Sequence, residues 1–220
     1  MKKSTEFNKA SFQNYMALYR ADDIRWTVFT LVFLLADIFV LLLAFAPPFQ
    51  PLYACIVAPP VLFLNVWALW IMMNPQKRRL QYTLFRGVYG IIVSLGLMVV
   101  VQKFAYGSLG LQSPLFFILS FGAYGFAFYH YYKNHIKKLK QPPQRPRASK
   151  GMNVSLSAAV ALGYLAAQIS LGFVTDQIVA VVLMCVLSML AFVLFHFIME
   201  LHRYYYLRQY LSEREFGNCN

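Results

Sequence analysis

Apolar residues in this chain come in long unbroken runs, not in the one-faced or alternating patterns of a water-soluble fold. A helix needs about 20 mostly apolar residues, each rising about 1.5 Å, to cross the hydrocarbon core of a bilayer. Six runs meet that requirement: Trp26–Ala46, Leu52–Met73, Gly87–Tyr106, Pro114–Tyr132, Asn153–Phe173 and Ile178–Glu200. None alternates with period two, which argues for helices against a barrel. The third run is the weakest, because Lys103 interrupts it near its far end. The pattern predicts an all-α polytopic membrane protein of six transmembrane helices in three hairpins.

The polar connections orient the helices. Cytoplasmic loops carry an excess of Lys and Arg. Nineteen of the 20 basic residues fall before the first run, between the second and third, between the fourth and fifth, or after the sixth. Lys103 is the exception. Both termini and both basic loops are therefore expected in the cytoplasm of a multi-pass cell-membrane protein. The opposite connections, near Pro47–Pro51, Ala105–Ser113 and Val174–Gln177, are too short for an external domain.

The chain divides accordingly. Residues 1–25 form a cytoplasmic amphipathic segment, and 26–138 a four-helix transmembrane part. Residues 139–152 form a Pro-rich basic linker, extended by composition. Residues 153–200 form a two-helix hairpin, and 201–220 a cytoplasmic aromatic-basic tail. Residues 1–25 contain no short apolar stretch before a cleavage site, so the first span is expected to insert uncleaved. Phe7, Phe12, Tyr15, Met16 and Tyr19 near the N-terminus, and the tyrosines and arginines after Leu201, suit interfacial helices. They lie against anionic lipids at the cytoplasmic face, or against a membrane-protein partner. A weak internal echo links Gly96 and His130 to Gly163 and His196, at spacings of 34 and 33 residues; chance among apolar helices explains it more simply.

Composition agrees with the pattern. The chain has 220 residues, of which 60% are hydrophobic and 13% charged. Soluble domains are about half apolar and a quarter charged. The net charge of +12 would point to nucleic acid in a soluble protein. Here the basic residues sort to one side of the apolar runs, so no nucleic-acid partner is expected. Cys55, Cys185 and Cys219 form no CxxC pair or disulfide framework.

The best lead to chemistry is Asp37, 11 residues into the first span and so near the bilayer midplane. Insertion scales put the cost of an aspartate there at about 2.5–3.5 kcal/mol. Leu would pack as well without that cost, so Asp37 reads as a proton carrier or cation ligand. The structural alternative is interhelical glue. Asn65, on the next span at similar depth, is its expected partner. Pro59 and Pro60 in that span deprive the carbonyls of Cys55 and Ile56 of their helical donors; a kink is the simpler outcome, a broken ion-binding helix the sharper one. Gln102 and Gln168, at matching depths in the third and fifth spans, line a polar cavity or bond between helices. His196 and Glu200, spaced i and i+4, share a helix face and form the weaker candidates for a metal site. No GxSxG, P-loop or HExxH pattern is present. No cofactor and no enzymatic activity are expected, an intramembrane enzyme being the weakest alternative. The leading expectation is a small transporter or permease component with a midplane carboxylate site. The alternative is a non-transporting scaffold, assembly partner or immunity-type protein.

Overall fold

A computed structural model describes residues 19–140 and 175–217. The described residues form helices and their connections, with no strand among them. The first rod, α1, runs through Ala21–Phe29, Thr30–Leu42 and Leu43–Phe45; it is followed by α2 (Pro51–Met73), α3 (Arg79–Gly107), α4 (Leu115–Lys140), α5 (Asp176–Val193) and α6 (Phe195–Gly217). The boundaries follow local chemistry. Asp22 and Asp23 place negative charge in the first turn of α1, where the helix dipole favours it. Pro51 opens α2 at a position where its missing N–H is no loss. The Ser113 hydroxyl accepts the Leu115 N–H at 3.2 Å and caps α4. Gly110 turns the chain between α3 and α4 with φ +64°, a left-handed conformation that glycine adopts without strain.

Four helices among the described residues are long and apolar enough to cross a membrane: Asp22–Phe45, Pro51–Met73, Arg79–Gly107 and Asp176–Gln209. They match four of the six expected spans. The Pro114–Tyr132 run does form a helix, but it falls outside this set. Gly122, Gly125, His130 and its many tyrosines dilute its apolar character. The Asn153–Phe173 run, the linker from residue 141 and the segment before Tyr19 lie outside the described residues. Pro59 and Pro60 leave α2 a single helix from Pro51 to Met73. The expected sixth span and tail prove to be α5 and α6, separated at Leu194, with helix continuing to Gly217.

The run that looked weakest is the axis of the molecule. Helix α3 packs against α1, α2, α5 and α6 and buries Tyr82, Phe85, Tyr89, Val93 and Leu97. It does so because its small residues admit neighbours to its backbone, the usual device where lipid removes the hydrophobic drive between helices. A Cβ at Gly87 would lie 2.5 Å from Leu201 Cγ, and one at Gly90 would lie 2.8 Å from the Ile198 backbone nitrogen. At Gly96 it would meet Val40 at 2.7 Å. On the outside the molecule exposes Trp26, Phe33, Leu34, Leu62, Phe63, Val66, Ile118, Phe126 and Met189, among others. So much apolar surface suits lipid and not water.

Candidate functional site

Three polar constellations interrupt this packing. The first is at mid-span. Between Thr30 and Leu42, α1 winds as a π-helix, a form that is rare and is found mostly as short bulges near functional positions. Asp37 lies within this stretch. The Asn65 Nδ2 group donates to Asp37 Oδ1 at 2.9 Å and to the Val61 carbonyl at 3.3 Å. The expected Asp37–Asn65 pairing is therefore present. Both side chains are half-buried, on the flank of the α1–α2 seam. Exposed Leu34 and Ile38 on α1, and Leu62 and Leu69 on α2, adjoin them. The Tyr89 hydroxyl crosses from α3 and donates to the Leu31 carbonyl at 2.6 Å, fastening the π-helical stretch to the central helix.

Gln102 does not join that pair. It is buried near the far end of α3 and donates to Ser120 Oγ on α4 at 2.7 Å. Above it, Ser94 and Tyr124 share a 2.8 Å hydrogen bond between the same two helices. Gln168 lies outside the described residues.

The second constellation is centred on Lys103, which the basic-residue count placed on the outer side, near the far end of the third run. Its side chain is fully buried. The ammonium donates to the carbonyls of Leu43 at 2.7 Å and Ala46 at 2.5 Å. Those carbonyls end α1, where the backbone has no further helical donors and the dipole is negative. Lys103 thus caps the C-terminus of a neighbouring helix. A lysine near the end of an apolar run, opposite a Pro-terminated helix, was the available signal.

The third lies at the basic end, where the start of α1, the start of α3 and helix α6 converge. Glu200 is buried, 6% exposed. It accepts the Tyr19 hydroxyl at 2.6 Å and Arg203 Nη1 at 3.1 Å, and Arg86 Nη1 stands 3.6 Å away. Arg203 also donates to the Tyr19 oxygen at 2.7 Å. The Arg86 guanidinium stacks 4.8 Å from the rings of both Tyr19 and Phe197, a favourable cation–π geometry. Burial first, and then the hydrogen bond to Glu200, push the Tyr19 phenol up to about 12. One carboxylate so holds two arginines and a tyrosine from three elements. His196, paired with Glu200 in the sequence reading, is exposed while Glu200 is buried among arginines. No group of three or more His, Cys, Asp or Glu gathers among the described residues. His135 on α4 and His202 on α6 pack ring to ring, with centroids 6.2 Å apart. Burial lowers the His135 pKa, as do the nearby His202, His196 and Lys138, against a smaller opposing influence of Glu200.

Two clefts also open among the described residues. One, about 460 Å³, is lined by Asp22, Arg25, Met73, Asn74, Pro75 and Gln76. The other, about 510 Å³, lies between Pro47, Pro48, Phe104, Gly107 and the start of α5. Neither includes Asp37 or Asn65.

No protein-family profile, curated protein or solved structure matches this chain. The reading of its function rests on the arrangement of its own residues.

Proposed function

We propose that this is a multi-pass membrane protein that works by assembling with another membrane protein. In this reading it has six transmembrane helices. Its basic end and both termini face the cytoplasm, and anionic lipids surround that end. One observation carries the reading. The Asp37 carboxylate is held by Asn65 on a half-buried flank of α1 and α2 beside the exposed Leu34, Ile38, Leu62 and Leu69, where a neighbouring helix can reach it. Intramembrane acids that serve a pathway face a bundle interior or a water-filled cavity instead. Among the described residues, other polar groups serve as cross-helix fasteners, at Ser94–Tyr124, Gln102–Ser120 and Tyr89–Leu31. That use stiffens a bundle more than it opens a route.

Photo-crosslinking residues placed at Leu34 and Leu62 in native membranes test the proposal. A discrete heavier adduct from both positions is expected. Crosslinks to lipid alone would overturn it. A second reading, the small transporter, draws on the π-helical winding around Asp37, since irregular helix at a mid-membrane acid recurs where ions pass. It requires cation- or proton-dependent flux in vesicles holding the purified chain, abolished by Asp37→Asn.

A further inference from the structure

The Asp37–Asn65 pair is short of donors. Asn65 has two N–H bonds to give, and both are used, one on Asp37 Oδ1 and one on the Val61 carbonyl. Among the described residues no donor reaches Asp37 Oδ2 or Asn65 Oδ1. The pair therefore presents two unengaged oxygens and one carboxyl group at the depth where water is scarcest. An intramembrane acid usually meets a basic group there.

None of the described residues supplies that group, and the run Asn153–Phe173 contains no Lys or Arg. Arg86 and Arg203 are engaged with Glu200 at the basic end. Lys103 is fully buried on the carbonyls of Leu43 and Ala46. A second copy would bring the same commitments and another unpaired acid. We infer that the Asp37–Asn65 pair docks a transmembrane helix of a different protein that carries a lysine or arginine near its middle. An ammonium offers three donors, enough for both open oxygens. The half-exposed pair is flanked by Leu34, Ile38, Leu62 and Leu69, which give the incoming helix an apolar surface on either side. The same logic holds for the partner, whose own mid-helix cation is tolerated when it is paired.

This inference rests on the assembly reading above and specifies its chemistry. The test uses the full chain in phosphatidylcholine vesicles with two synthetic leucine-alanine transmembrane peptides. They differ in a single central residue, lysine or leucine, and energy transfer from a label on α1 reports association. The lysine peptide is expected to bind about tenfold more tightly, as one favourable intramembrane polar contact allows. Asp37→Asn keeps the size of the side chain and should remove most of that preference; Asp37→Leu should remove all of it. Equal binding of the two peptides to the parent chain overturns the inference, whatever the variants do. So does a preference that survives Asp37→Leu in protein whose helical circular dichroism matches the parent. The crosslinking result separates the two levels. Adducts at Leu34 and Leu62 that persist in Asp37→Asn leave assembly standing and remove this docking chemistry, whereas the absence of adducts in the parent removes both.

Discussion

Glu200→Leu is the substitution that most directly tests how the bundle is locked. In the parent, Glu200 accepts hydrogen bonds from Tyr19 at 2.6 Å and Arg203 at 3.1 Å, and faces Arg86 at 3.6 Å. Both arginine side chains are 11% exposed. Leucine fills a similar volume but takes the shared carboxylate away from two nearly buried guanidiniums and a phenol. Breaking a buried pair by removing one partner costs about 3–5 kcal/mol. Both arginines keep some exposed surface, which relieves part of that, so about 3 kcal/mol is expected. Glu200→Gln keeps an acceptor for Tyr19 and loses the charge, and should cost about half as much. Reversible unfolding by titration with sodium dodecyl sulfate in mixed micelles measures both. Adding Arg86→Met to Glu200→Leu removes one of those cations and should recover at least 1 kcal/mol relative to additivity, the size expected for residues in one network. A loss below about 1 kcal/mol for Glu200→Leu, or a strictly additive double variant, would refute the idea that this carboxylate holds the three elements together.

The other predictions are narrower. Gly90→Ala drives a Cβ to 2.8 Å from the Ile198 backbone nitrogen and should cost about 1–3 kcal/mol. Gly122→Ala meets nothing within 4 Å and should cost nothing, or gain up to about 1 kcal/mol from helix propensity, in the same unfolding assay. Lys103→Met leaves the Leu43 and Ala46 carbonyls without donors and should lose about 1–3 kcal/mol, with faster hydrogen exchange at the end of α1. Stability should fall as pH drops below the ordinary histidine range. His135 has a lowered pKa when folded, so the unfolded chain binds the proton more readily, and the contribution present above about pH 6.5 is lost on acidification. His135→Gln should flatten that slope between pH 7 and 5, and an unchanged slope would remove His135 as its source.

Much of the architecture was legible in the chain itself, because lipid imposes rules that act locally. A run such as Leu52–Met73 has few options in a bilayer beyond a spanning helix, since every backbone group must be bonded within the segment. Depth follows from residue count, so Asp37 and Asn65 can be matched before any fold is known. The structure pairs them at 2.9 Å. The helical ends were also readable, from Pro51, Ser113 and the acidic first turn of α1.

Lateral arrangement was not legible in this way. Hydropathy treats all faces of a spanning helix alike, since lipid and a protein interior are similarly apolar. Nothing in the run around Gly87–Tyr106 marked it as the central helix. That follows from Gly87 and Gly90 meeting the backbone of α6. The basic-residue count placed Lys103 outside, and only packing revealed it as the cap on α1. Glu200 and Arg86 are 114 positions apart in sequence, and long-range ion pairs leave no periodic trace. By itself the sequence marked the four apolar helices that are long enough to cross a membrane, because helix and hydropathy depend on neighbours along the chain. Which acid meets which base, and which face of α1 and α2 remains open, depended on helix rotation and order, which tertiary contacts alone decide.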